Sequence, residues 1–254
     1  MTLTKEEIHQ LLDEKYDQFN RNSFIESDPI SIPHLFTKKQ DIEIAGFISA
    51  IIAWGQRKTI IKNANQFVEL MDLEPFDFVM NHSQKELSRF TNFKHRTFNG
   101  VDAQYFITAL QHIYTNFGSL ENVFALHPTN MQHSIANFKK LFFEINHPQR
   151  TQKHISDPLK NSAAKRINMY LRWMVRNDKR GVDFGVWNKI DAKDLMCPLD
   201  VHSGNIARKL GLLTRKQDDW KATIELTESL KQFDSNDPVK YDFSLFGLGV
   251  FEKF

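Results

Sequence analysis

The segment 44–54, Ile-Ala-Gly-Phe-Ile-Ser-Ala-Ile-Ile-Ala-Trp, is the longest nearly uninterrupted apolar run in the chain, and it constrains the fold more than any other stretch. It is too short to cross a bilayer, which takes about 20 residues of helix. A helix over 40–53 is apolar around most of its circumference, so it is satisfied only when neighbours cover it on every side. Such a helix runs through the middle of a core. The material to surround it is present: 41% of the residues are hydrophobic and 22 are Phe. Ten Gly and eight Pro are few for 254 residues, which disfavours a turn-dense sandwich or barrel. The expectation is an all-α fold in which 1–254 form one unit of two helical lobes. A central lobe covers 40–150, and a second lobe at 161–254 packs with an N-terminal helix over 4–20.

Periodicity supplies the other helices. Ile8, Leu11, Leu12, Lys15 and Phe19 recur at helical spacing behind Thr4, a natural N-cap. Gly55 ends the apolar helix and another follows at once over 57–71, leaving a tight Trp-Gly-Gln-Arg corner with exposed polar side chains. Pro75 opens a short helix, 84–90 forms another, and 102–117, 119–126 and 130–146 are punctuated by Gly118, Pro128 and Pro148. Helices are expected at 161–175, 203–210, 218–231 and 238–248, the last started by a capping Asp237 before Pro238. No strand is convincing.

A lone cysteine, Cys197, excludes an internal disulfide framework and any four-cysteine metal or iron–sulfur site. The ten His show no metal-ligand spacing, so no metal and no cofactor are expected. The polar, acidic start shows no signal-peptide pattern, and the bland expectation is a reduced cytoplasmic protein. The net charge of +2 hides an uneven spread. Residues 1–50 carry five Lys/Arg against nine Asp/Glu, whereas 150–180 carry nine Lys/Arg against Asp157 and Asp178 alone. Such a basic stretch suits a polyanion such as nucleic acid; a solvated helix face is the simpler explanation, and composition alone favours it.

On the helix from 161, Ile167, Tyr170, Leu171, Met174 and Val175 gather on one face, and Lys165, Asn168, Arg172 and Arg176 fall on a stripe roughly opposite. Solvent exposure explains that stripe; so does a phosphate backbone. Further on, Pro198-Leu199-Asp200-Val201-His202 places a carboxylate just before a helix. An aspartate there is first of all an N-cap, but the same position fixes a carboxylate rigidly, with His202 buttressing the turn. Phe93, His95 and Arg96 sit in a loop-like segment that could line a pocket, though such residues are more often structural.

The run 164–171, Ala-Lys-Arg-Ile-Asn-Met-Tyr-Leu, resembles the lysine helix of the helix-hairpin-helix DNA glycosylases, such as endonuclease III and the 8-oxoguanine glycosylases. Pro198 to His202, with Arg208 and Leu210-Gly211-Leu212, resembles that family's aspartate segment. The run 47–56 is similar to its early buried helix, and 241–249 to the helix before the cluster cysteines of other members. The wide spacing of Lys165 and Asp200 is more similar to divergent archaeal members without a cluster. The chain also resembles uncharacterised bacterial proteins that share the Trp-Gly-Gln-Arg and Asp-Pro-Val-Lys-Tyr-Asp-Phe runs. The resemblance implies a two-lobed helix-hairpin-helix glycosylase fold, with DNA in a basic cleft between lobes. It implies a DNA glycosylase/AP lyase of base excision repair that acts on a flipped-out damaged base, with an oxidised purine as candidate lesion. Lys165 takes the nucleophile position and Asp200 the second catalytic position. Gln56, Arg57, Lys160, Arg166, Asn168, Arg172 and Arg176 are the expected DNA contacts, supported by Trp54, His202 and Arg208. The partner is double-stranded DNA, damaged or abasic, met in the bacterial nucleoid by a monomer.

One departure bears on binding. The family's hairpin carries a Gly-x-Gly turn whose amides hold a phosphate, and this chain has Lys160-Asn161-Ser162-Ala163-Ala164. Either basic side chains take over that contact or duplex binding is weakened. A nucleic-acid-binding protein that kept the fold without catalysis, or a protein-interaction scaffold, are the rival readings.

Overall fold

In the computed structural model, which describes residues 3–252, helices carry nearly all of the regular structure. Helix α1 (Lys5–Phe19) begins at Thr4, whose hydroxyl accepts from the Glu7 N–H while the Glu7 carboxylate accepts from the Thr4 N–H. That reciprocal pair satisfies two amides at the helix start. A single turn, α2 (Asn22–Ile25), precedes α3 (Lys39–Ile51), α4 (Arg57–Glu69), α5 (Pro75–Asn81) and α6 (Gln84–Leu87). Then come two short antiparallel strands, β1 (Lys94–His95) and β2 (Phe98–Asn99), with His95 opposite Phe98. The remaining helices are α7 (Gly100–Phe117), α8 (Leu120–Phe124), α9 (Met131–Phe142), α10 (Lys165–Val175), α11 (Val201–Lys209), α12 (Trp220–Lys231) and α13 (Asp242–Gly247). No helix among the described residues is long and apolar enough to cross a membrane.

The chain divides into two compact units. A mid-chain unit holds 25–127 and 133–156; a terminal unit holds 1–24, 128–132 and 157–254.

In the mid-chain unit α3 is buried around its whole circumference from 42 to 51, as its apolar pattern requires. Its polar members are satisfied inside: Tyr114 donates its hydroxyl to Glu43 at 2.6 Å, and Ser49 donates to the Pro29 carbonyl at 2.7 Å. Unpaired, each would cost a kilocalorie or more, on the order of 1–3 kcal/mol. Phe47 on α3 packs against Phe106, Phe138 and Phe142, and Phe67 on α4 packs against Phe90, Phe93 and Phe98. Burying one such ring stabilises the fold by about 1.5–3 kcal/mol. The hairpin of β1 and β2 was not expected. Two residues per strand leave no alternation to read, and its turn is Arg96-Thr97 rather than the Asn-Gly that announces a hairpin.

In the terminal unit α13 lies against α1. Ser244 donates to the Leu12 carbonyl at 2.6 Å, and a Cβ added to Gly247 would stand 2.0 Å from the Phe19 ring, so only glycine fits there. The helix expected over 238–248 is a tight turn at Pro238–Tyr241, then α13, then a wider turn at Leu248–Glu252. Asp237 is not its cap: its carboxylate accepts from Arg176 instead. Helix α10 starts at Lys165 rather than 161, because Asn161 (φ 64°) and Ala164 (φ 48°) are left-handed and interrupt any helix before it.

Candidate functional site

Lys165 is the first residue of α10, and Asp200 is the N-cap of α11. The two readings of Asp200, cap and site carboxylate, turn out to be compatible because its oxygens do different things. Oδ1 accepts from the His202 and Ser203 N–H groups at 2.9 Å each, and the Asp200 N–H donates back to Ser203 Oγ at 3.0 Å. With one oxygen locked to the helix start, Oδ2 lies 3.2 Å from Lys165 Nζ. Both side chains remain reachable from solvent, at 29% and 22% exposure. Burial works against the Asp200 charge, yet the Lys165 ammonium and the Ser203 amide outweigh it and hold the carboxyl below the usual carboxylate range. The site therefore presents a fixed anion beside a primary amine.

The turn leading into α10 is braced from behind. Asn161 donates its side-chain amide to Asp219 at 2.9 Å, and its carbonyl accepts from the Trp220 N–H. Arg215 closes on the same Asp219 carboxylate. The left-handed positions that glycine would serve elsewhere are taken here by Asn161 and Ala164. Asparagine tolerates that region through its short polar side chain, whereas alanine pays a Cβ clash of about 1 kcal/mol.

Beneath the pair lies Asp242, 7% exposed, which accepts from Arg172. Burial raises its carboxyl to about 6 against the pull of Arg172, and the negative charge of Asp200 adds to the rise. Cys197 is fully buried nearby, its thiol pushed up by burial and by Asp242.

The basic stripe expected on α10 is not a surface. Residues 167–175 are buried all round; Asn168 is 1% exposed and donates to the Ala163 carbonyl, Arg172 is 4% exposed and Arg176 1%. Arg172 donates through Nε to Asp183 and through an Nη to Asp242, with its plane 4.1 Å over Phe243. Arg176 reaches Asp183, Asp237, Asp178 and the Tyr16 hydroxyl. Asn168, Arg172 and Arg176 are therefore structural, not DNA contacts, because all three are buried, with the Asn168 donor held by the Ala163 carbonyl and the arginine donors held by carboxylates. The basic run 150–180 is dispersed in the same way: Arg150 meets Asp102 and Arg180 meets Asp17.

The other expected contacts are spread out. Lys160 is exposed in the turn before α10. Arg166 is half-buried, and burial pulls its guanidinium down to about 10, so it stays charged at neutral pH. Gln56, at the N-cap of α4, is exposed and makes no side-chain cap bond, and Arg57 beside it is half-buried. Trp54, expected as a supporting residue, is packed in place: its ring stacks on His154 at 5.9 Å and meets His95 edge-on at 5.0 Å. His95 and Phe93 are themselves buried, while Arg96 is exposed. The His202 side chain is exposed, and its backbone N–H donates to Asp200. Arg208 braces the following loop, donating to the Arg215 carbonyl and to Asp218. Sequence reasoning missed Ser203, which completes the cap box, and the carboxylates of Asp183 and Asp178 beneath α10. A serine three residues after an aspartate was a usable signal for the first. The others carry none.

A sequence-family profile described as "Protein of unknown function (DUF2400)" matches residues 28–251, so the chain belongs to that family. No curated protein matches the chain, and no solved structure does.

Proposed function

We propose that this DUF2400 protein is a DNA glycosylase with AP lyase activity, built on a helix-hairpin-helix glycosylase-like fold. The observation that carries the reading is the Lys165 amine held 3.2 Å from the Asp200 carboxylate with both open to solvent. The two segments that bear them are among the four that resemble the glycosylases. Breaking an N-glycosidic bond builds positive charge on the sugar, and an anion already fixed in place stabilises that charge without reorganising. Asp200 meets the requirement because α11 holds one of its oxygens and its carboxyl stays ionised. The base departs with the bonding pair and takes up the proton that the Lys165 ammonium sheds, and the freed amine attacks C1′ while Asp200 stays ionised beside it. Loss of the ring oxygen from C1′ gives an iminium, and removal of a 2′ proton expels the 3′ phosphate. The DNA partner is duplex, and an oxidised purine is the candidate lesion.

Borohydride tests this directly, because hydride reduces the iminium to a stable amine that leaves protein joined to DNA. Wild type incubated with DNA bearing an abasic site should trap, and Lys165→Ala should not. Asp200→Asn should bind DNA but release base about a hundredfold more slowly, on the order of 3 kcal/mol. Because Asn caps nearly as well as Asp, a melting curve close to wild type separates charge from fold. Trapping by Lys165→Ala at the wild-type level would sink the lysine assignment. Salt-sensitive DNA binding by wild type with no trapping on any lesion would favour the binding protein without catalysis.

A further inference from the structure

Three stretches of the mid-chain unit contain no Asp or Glu: 51–68, 87–101 and 145–156. Far apart in sequence, they meet in space. Asn63 on α4 donates to His95 Nδ1 at 2.8 Å, and His95 Nε2 lies 3.1 Å from the Trp54 carbonyl. Arg150 donates to the Thr97 carbonyl at 2.9 Å and Trp54 stacks on His154. Lys58 and Lys62 on α4, Lys94 and Arg96 on the hairpin and Lys153 beyond it are all exposed, and none has an ion pair among the described residues. The carboxylates flanking these stretches do not neutralise them: Glu86 meets Arg89, Glu144 meets His112 and Asp157 accepts from the Leu159 N–H. Asp102 is buried and bonded to Arg150, and Glu69 lies two helical turns beyond Lys62, roughly 10 Å along α4.

Arg96 is presented at a cost. It occupies the hairpin turn with φ 54°, a region that disfavours any side chain with a Cβ and that Gly or Asn would fill more cheaply. Its side chain lies over Gly55, where an added Cβ would stand 3.2 Å from both Arg96 Cδ and an Nη. Gly55 itself has φ 110°. Two adjoining left-handed residues thus set one guanidinium at the rim of α4, beside the exposed Gln56. Strain kept at an exposed charged residue points to use.

We propose that the exposed face formed by α4 and the β1–β2 hairpin, with Lys58, Lys62, Lys94 and Arg96 as its cations, binds the phosphate backbone of duplex nucleic acid. Lys153 extends it. The chemistry favours that partner over a membrane. The residues between the cations include the exposed Gln56, Thr59 and Thr97, donors suited to phosphate and sugar oxygens, and no large apolar side chain is exposed over 52–66 or 91–99 to anchor in lipid. The face does not depend on base excision, and it sharpens the proposed function by assigning duplex binding to named residues of the mid-chain unit.

The test is a salt titration of full-length protein on a fluorescent duplex of about 20 base pairs. Each phosphate contact contributes about −0.9 to the slope of log K against log salt. Lys58→Gln/Lys62→Gln/Lys94→Gln/Arg96→Gly should therefore flatten the slope by up to about 3.6, and weaken binding at least about tenfold at moderate salt. Arg96→Gly alone should flatten it by about one while raising Tm by about 2 °C, since the left-handed strain is relieved; a gain in Tm with a loss of binding separates the face from the fold. An unchanged slope in the quadruple variant overturns the proposal. So does a wild type that prefers vesicles of anionic lipid, or an acidic peptide, to duplex. Absence of borohydride trapping with the slope change intact leaves the face standing and removes the glycosylase.

Discussion

Two sets of basic residues look alike in the sequence and end up in opposite environments. Arg172 and Arg176 on α10 have no acidic neighbour within the helix, and neither do Lys58 and Lys62 on α4. In the structure the arginines are buried under four carboxylates, whereas the lysines face solvent with no ion pair among the described residues. The difference lies in what the rest of the chain brings. Asp183, Asp237, Asp242 and Asp178 come from loops and helix starts packed beside α10 and converge on two planar guanidinium forks, a geometry suited to several carboxylates at once. Among the described residues no carboxylate pairs with Lys58, Lys62, Lys94 or Arg96. A basic helix face is a binding surface only when the fold leaves it alone.

The sharpest way to break this contrast is to remove one member of the buried network. Arg176→Ala leaves Asp183, Asp237 and Asp178 without their common cation, and stability should fall by about 3–5 kcal/mol in chemical denaturation. A loss below about 1 kcal/mol would mean that the arginine is dispensable and the two regions do not differ as described.

Asp242 offers a pH test of the same network. Burial raises its folded-state carboxyl from its ordinary 3.8 to about 6. Its contribution to stability is therefore fully present below about pH 4 and is lost as pH rises through about 6. The stability of wild type relative to Asp242→Asn should increase as pH is lowered from 7 to 4, by roughly 3 kcal/mol at most. Asp200 and Asp178, held below the carboxylate range, act with the opposite sign and only at lower pH, as their folded-state values are reached. A flat difference across pH 4–7, measured by urea titration, would remove Asp242 from the titrating groups.

The smallest effect is expected on the other side. Lys58→Gln/Lys62→Gln should change stability by no more than about 0.5 kcal/mol, because exposed unpaired lysines give the fold little to lose. A large destabilisation there would show that α4 is held by charge after all.

The helical character, the central position of α3 and the capping role of Asp200 were legible in the sequence, because each depends on residues within a turn or two of one another. Apolar periodicity, an aspartate ahead of a helix and a threonine N-cap are local physics, and the structure has each of them. The turn before α10 was not legible: Asn161 and Ala164 are left-handed without a glycine to announce it, and Asp219 from 58 positions away braces them. Nor was the fate of Arg172 and Arg176, whose partners range from Asp178 to Tyr16, 160 positions distant. The same holds for the 3.2 Å between Lys165 and Asp200. Which residues can be charged, capped or apolar is a property of each side chain and its near neighbours. Which charges meet depends on long-range packing, and only the tertiary structure could decide it.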